Sequence, residues 1–359
     1  LGQPTIVGEI LAGVLVGPAV LGWVDLTEVL EVMAELGVVF LLFWVGLETK
    51  LDDLRDVGRT AGLVGVLGVV LPFAGGAGLA VALGEETAVV LFAGAALVAT
   101  SVGITSAVLA ELGIVTAPAG RTILGAAVVD DILAMLILGV AVGIAGGGGA
   151  DYASLAVSTG LSILFVAFVA LGGTRFMQRR PGILKEPRFS ESPLLPAVIL
   201  CLGLAAFSAQ IGLAAIIGAF LAGMVVAETR EQHPIEEEVA PLYAFFPPFF
   251  FAFIGLQLVP EKYTDGRTLS LLIAFTAIAV VTKFAGAWLG ARSLGAREAR
   301  IVGIGMVPRG EVGIVIAGVA IAEGAVDDEF FAIVVGMSII TTLIAPLVLR
   351  AVSRPVAQS

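Results

Sequence analysis

The sequence predicts an all-α integral membrane protein built from two inverted repeats, on three observations. The 359 residues are 58% hydrophobic and only 14% charged, with a mean hydropathy of +1.07, whereas soluble domains carry about 25% charge. The apolar residues come in blocks long enough for a ~30 Å hydrocarbon core, which takes ~20 helical residues to cross. The second half of the chain also echoes the first at a nearly constant shift. Residues 1–359 therefore read as one transmembrane domain, with no room for a soluble catalytic module and no nucleic-acid partner expected.

Twelve hydrophobic segments are expected at about 4–21, 30–47, 59–83, 87–111, 119–145, 152–173, 193–209, 211–228, 240–259, 268–291, 298–322 and 329–351. Alternate loops hold fifteen basic residues, among them Lys50, Arg121, Arg179, Arg230, Arg297 and Arg350, whereas the other side has only Lys262 and Arg267. The excess of Lys and Arg marks the cytoplasmic face, so both ends of the chain are expected there. An inner-membrane, multi-pass location follows. The single cysteine, Cys201, excludes an internal disulfide, and His233 sits among loop glutamates.

The echo is specific. GEILAGVLVG at 8–17 matches GAFLAGMVVA at 218–227, WVGLE at 44–48 matches FIGLQ at 253–257, and ATSVG at 99–103 falls on PRGE at 308–311. Six segments in the second copy against five in the first suggest that one N-terminal helix is missing, in keeping with a start at Leu-Gly rather than Met. With a linker helix at 152–173 between repeats 1–145 and 193–352, the second copy is inserted upside down. Such repeats are the architecture of secondary transporters, whose sites lie at the midplane between discontinuous helices.

Two interruptions are expected in corresponding places. ATSVGITS places Thr100, Ser101 and Gly103 within the fourth segment, and MVPRGEVG places Pro308, Arg309, Gly310 and Glu311 within the eleventh. Proline removes a donor and glycine loosens a helix. Opposed half-helix ends then offer partial charges to ions.

The candidate site is GAAVVDDILAML at 125–136, which puts Asp130 and Asp131 inside a long apolar run. Each Asp costs roughly 2.5–3.5 kcal/mol at the bilayer centre on insertion scales, so an intramembrane pair points to an ion or proton pathway. Neighbours on a helix point about 100° apart. One carboxylate can therefore pair with the base of VVTKFAGAWLG, Lys283, while the other looks into a cavity. The plainer role for Asp130 and Lys283 is an ion pair that locks two helices together. Asp131, Thr100, Ser101 and carbonyls freed at the break make a hard oxygen shell suited to Na⁺ or Li⁺. Arg309 and Glu311 are expected to pair locally at the second break. Glu9 is expected as a gate or a residue of the cytoplasmic end, and Gly13, Gly17 and Gly223 as close-packing positions.

GEILAGVLVGP, ATSVGIT, ILGAAVVDDIL, AQIGLAAIIGAFLAGM and PRGEVG resemble the sodium/proton antiporters of the cation/proton antiporter-2 family, in particular its NapA-type branch. The resemblance covers nearly the whole chain. It implies a thirteen-helix homodimer fold, twelve of whose helices are present, in which a transport core (about 59–145 and 268–322) moves against a dimerisation part made of the other helices. It places the ion-binding aspartate on Asp131, the lysine and its partner on Lys283 and Asp130, and supporting charges on Arg309 and Glu311. An Asp-Asp pair implies electrogenic exchange, a role in pH homeostasis and no enzyme chemistry. The expected partners are Na⁺ or Li⁺, H⁺, membrane lipid and a second copy of the chain, with no cofactor. A K⁺/H⁺ exchanger of the same fold is the alternative. A passive channel or an intramembrane aspartyl protease fits less well, since both aspartates share one helix and GxGD is lacking.

Overall fold

A computed structural model describes residues 5–49, 51–145, 152–179, 193–229, 235–258 and 260–353 of the chain, without the side chains of 51–55, 152, 154, 155 and 311. The described residues form helices and turns with no strand. In chain order these are α1 (Thr5–Val16), α2 (Glu28–Leu47), α3 (Leu51–Ala82), α4 (Thr87–Val98), α5 (Val102–Glu111) and α6 (Pro118–Ala145). Then come α7 (Tyr152–Ala167) and α8 (Thr174–Arg179), joined by a π-helical turn at Phe168–Gly173. The rest are α9 (Leu194–Gln210), α10 (Ala215–Ala227), α11 (Ile235–Phe245), α12 (Pro247–Leu256), α13 (Gly266–Gly290), α14 (Ala296–Gly305), α15 (Glu311–Ala322) and α16 (Asp328–Ser353). Eight stretches among the described residues are long and apolar enough to cross a membrane, and four shorter apolar helices accompany them.

Several boundaries differ from the hydropathy reading. The first segment was expected to reach residue 21 but ends as helix at Val16, where Gly17-Pro18 cannot continue it. The sixth runs on to Arg179 through the π turn. The ninth starts earlier, at Ile235, and is split before Pro247-Pro248. Residues 180–192 of the basic connector, and His233, lie outside the described residues.

Helix starts follow local chemistry. The Thr27 hydroxyl accepts from the Leu30 amide (3.3 Å), with Glu28 and Glu31 in the first turn of α2. Asp265 accepts from the amides of Arg267 and Thr268 at the start of α13. Thr27→Ala should cost about 1 kcal/mol, the usual worth of such a cap. A drop of a degree or two in the thermal midpoint, read on detergent-solubilised protein, checks it.

The helices pack in two groups. One comprises α3–α6 and α13–α16, with α3 against α13 and α6, and α16 against α13, α14 and α15. The other comprises α1, α2 and α7–α12, with α10 on α2 and α9, and α1 on α12. The repeated glycines explain the second group. A Cβ on Gly13 would meet the Ala252 carbonyl oxygen at 2.0 Å, and one on Gly223 would meet that of Phe43 at 2.2 Å. Likewise Gly255 lies against the Ile10 carbonyl and Gly46 against that of Phe220, each 2.2 Å from the Cβ position. The α1–α12 contact is therefore repeated, residue for residue, by the α10–α2 contact. Backbones come this close only where neither side carries a side chain, as in small-residue packing between membrane helices.

Candidate ion-binding site

The site forms where α6 and α13 pass the two interruptions. Helix α4 stops at Val98 and α5 begins at Val102; α14 stops at Gly305 and α15 begins at Glu311. The two gaps touch, because the Ser101 amide donates to the Pro308 carbonyl (2.9 Å). Gly303 and Gly305 aside, the decisive glycine is Gly310, since a Cβ there would press on Ser101 Oγ at 2.6 Å. Gly103, expected in the first gap, instead lies inside α5, where its bare face admits Val38 and Phe250.

Several backbone groups freed at the gaps are satisfied by protein, as irregular chain at membrane depth requires. Lys283 Nζ donates to the Val98 carbonyl (2.6 Å). Arg309 Nη1 donates to the carbonyls of Val98 (3.0 Å) and Ala99 (2.8 Å), and its Nη2 to that of Ala279 (3.3 Å). The Thr105 hydroxyl donates to the Gly305 carbonyl (2.6 Å), closing the end of α14. From α16, Thr341 Oγ1 accepts the Arg309 amide (3.1 Å) and the Thr342 hydroxyl donates to the Arg309 carbonyl (2.6 Å). Two cations thus sit at the carbonyl end of α4, where the helix dipole is negative.

Lys283 also donates to Asp130 Oδ1 at 2.7 Å, and both residues are buried, at 0% and 2% exposure. A buried pair at this distance satisfies charges that would otherwise be very costly in a dry interior. Asp131, one residue on, points elsewhere and is half-buried. Its Oδ2 accepts the amide of Ala214, the N-cap of α10 (3.2 Å).

Asp131 lies on the wall of two cavities. The larger, about 350 Å³, runs toward the C-terminal half of α6 and is lined by Ala134, Met135, Leu138, Leu213, Val312 and Val315 among others. The smaller, about 20 Å³, runs toward the N-terminal half and is lined by Leu42, Val102, Leu124, Ile216 and Phe220 among others. The carboxylate is therefore a polar group on the wall of both a roomy and a narrow space, each lined mainly by apolar side chains.

The expected site residues are not all brought together. Asp130, Lys283 and Arg309 converge on the end of α4. Thr100 and Ser101 form the first gap, and Thr100 Oγ1 is buried without a hydrogen-bond partner among the described residues. The expected local pairing of Arg309 with Glu311 falls partly outside the described residues, since the Glu311 side chain is not among them; the Arg309 guanidinium is given to carbonyls of α4 and α13. Glu9 lines a separate cavity of about 470 Å³ with Glu48, Glu111 and Tyr243. Sequence reasoning missed Ala214, which acts through its amide and has no side-chain signature.

These features, two touching helix interruptions with a buried Asp-Lys pair and a second carboxylate on a cavity, define a secondary transporter for small cations. The fold matches that of the sodium/proton antiporter MjNhaP1 from Methanocaldococcus jannaschii, with a TM-score of 0.66 at 16% identity over 97% of this chain and 93% of that one. The chain belongs to the sodium/hydrogen exchanger family, whose transmembrane model matches residues 1–354. It is 37% identical over 353 residues to the Na⁺/H⁺-K⁺ antiporter GerN of Bacillus cereus, covering 98% of this chain and 90% of GerN. It is 32% identical to a Na⁺/H⁺ antiporter of Enterococcus hirae, covering 97% and 91%. Membership of this family makes the protein a membrane transporter and not an enzyme.

Proposed function

We propose that the protein exchanges Na⁺ or Li⁺ for H⁺ across the membrane by alternating access, with cation and proton competing for Asp131. The carrying observation is the division of labour within the aspartate pair. Asp130 is engaged by Lys283, whereas Asp131 opens on both cavities. A carboxylate in an apolar wall needs a neutralising partner before it can change sides. Na⁺ and H⁺ each provide one, and one site holds one at a time. Thr100, Ser101 and gap carbonyls complete the hard oxygen shell for the cation.

The exchange is electrogenic in this reading, because a lysine can release its proton when buried, as an arginine cannot. Lys283 then moves a second proton while Asp130 alternates between partnered and unpartnered. The group α3–α6 with α13–α16 is the moving core, α16 included on its packing, and the group with α1, α2 and α7–α12 is the dimerisation part. Twelve membrane segments with two crossing discontinuous helices, a homodimer in lipid and cytoplasmic ends in an inner membrane complete the reading. In that orientation the larger cavity faces outward and Leu42, Ile216 and Phe220 close the inner side.

Purified protein in proteoliposomes with an imposed pH gradient should dequench a pH dye when Na⁺ or Li⁺ is added. A flat trace with every alkali cation removes the proposal. The name of GerN, a relative at 37% identity, favours K⁺ as a second substrate. Currents on solid-supported membranes with Na⁺, Li⁺ and K⁺ at matched concentration separate the two readings.

A further inference from the structure

The contact between Asp131 and Ala214 joins the two helix groups. Asp131 sits on α6, which packs on α3, α4 and α14, whereas Ala214 caps α10, which packs on α2 and α9. The α9–α10 turn is built to present this amide. Gly212 takes φ +89°, in the left-handed region open to glycine, and Met135 of α6 rests on it, its sulfur 2.8 Å from where a Cβ would stand. The buried Ser208 hydroxyl donates to the Ala214 carbonyl (2.9 Å), and the Ser208 carbonyl accepts the Leu213 amide (3.0 Å). Ser208 thus fixes the residue whose N–H reaches the carboxylate. Behind that N–H stands the N-terminus of a 13-residue helix, which favours negative charge.

We propose that this turn is a latch for the empty carrier, with Ala214 as the contact and Ser208 as its positioning residue; the inference rests on Asp131 being the exchange site. An ionised carboxylate is an acceptor only, and its hydrogen bond from an N–H is charge-assisted. Protonation removes that charge, and a bound cation takes the same lone pairs, so either cargo weakens the contact. The core then separates from α10 when Asp131 is loaded and stays fastened when it is empty. That asymmetry is what coupling requires, because an empty carrier that crosses freely lets Na⁺ run downhill with no proton returning.

Ala214 has φ −59° and ψ 138°, a conformation that proline adopts without strain. Ala214→Pro therefore deletes the N–H without backbone strain at that position. Its ring Cδ, standing where the hydrogen was, holds Asp131 off the turn, so both effects open the latch. ²²Na⁺ efflux and proton uptake are to be measured together in proteoliposomes, with the potential clamped near zero by permeant thiocyanate. Ala214→Pro should keep carrying Na⁺ while protons moved per Na⁺ fall at least twofold, and Ala214→Gly, which retains the N–H, should keep the wild-type ratio. Ser208→Ala should lower the ratio partway and Ser208→Thr should restore it, a rescue that loss of packing would not show. An unchanged ratio in Ala214→Pro overturns the latch. Should that variant not fold, an unchanged ratio in Ser208→Ala overturns it. Exchange that survives Asp131→Asn fails the underlying reading instead, whatever the ratio.

Discussion

Asp131→Asn is expected to reduce Na⁺-dependent dequenching to the level of protein-free vesicles. Asparagine has nearly the same size and keeps a carbonyl oxygen for the Ala214 amide, so the surroundings at 3.2 Å need not move. It cannot be ionised or protonated near neutral pH, so it neither attracts a cation nor takes a proton in its place. The protein should therefore stay folded, with an unshifted elution profile, and stop exchanging. Asp130→Asn makes the contrast, because its carboxylate touches Lys283 (2.7 Å) and lines neither cavity given for Asp131. That variant should retain exchange with fewer protons per cation. If instead Asp130→Asn is silent and Asp131→Asn still exchanges, the roles of the two neighbours are reversed.

The charges are legible in the sequence because ionisable residues in apolar runs are scarce and conspicuous. Asp130, Asp131, Lys283 and Arg309 could each be picked out that way, and one helix cannot point two neighbours at one partner. The repeat was legible for a related reason: close backbone contacts demand glycine, so Gly13, Gly46, Gly223 and Gly255 recur at matched positions. What Arg309 holds was not legible. Its partners are carbonyls of Val98, Ala99 and Ala279, and a carbonyl looks the same in every residue. From the sequence only a side-chain partner could be named, and the one expected, Glu311, has a side chain outside those described. The same blindness hid the Ala214 amide, for which Gly212 and Ser208 were the available hints. Hydropathy also misplaced the ends of the ninth segment. Ile235–Phe245 carries three glutamates in its first turn, which lower the local average although the backbone is helical.

Lys283→Ala should destabilise the protein and change its charge movement, and a second variant separates the two effects. Removing the lysine leaves Asp130 buried and unpaired, a change that costs about 3–5 kcal/mol in other buried pairs. The thermal midpoint in detergent should fall by roughly 5–10 °C, given about 2 °C per kcal/mol for large domains. The Val98 carbonyl does not add to that cost, since Arg309 Nη1 still donates to it at 3.0 Å. Asp130→Leu together with Lys283→Met replaces the pair by apolar groups of similar volume, which is often neutral or stabilising. The double variant should therefore melt near the wild type. With Asp131 intact it should still exchange Na⁺ for H⁺, now one for one, so that transient currents on a solid-supported membrane vanish while dye dequenching persists. A pair that only locks α6 to α13 would leave the current in place. The stability change by itself cannot tell a lock from a proton carrier, whereas loss of current in a protein that melts normally assigns the second proton to Lys283.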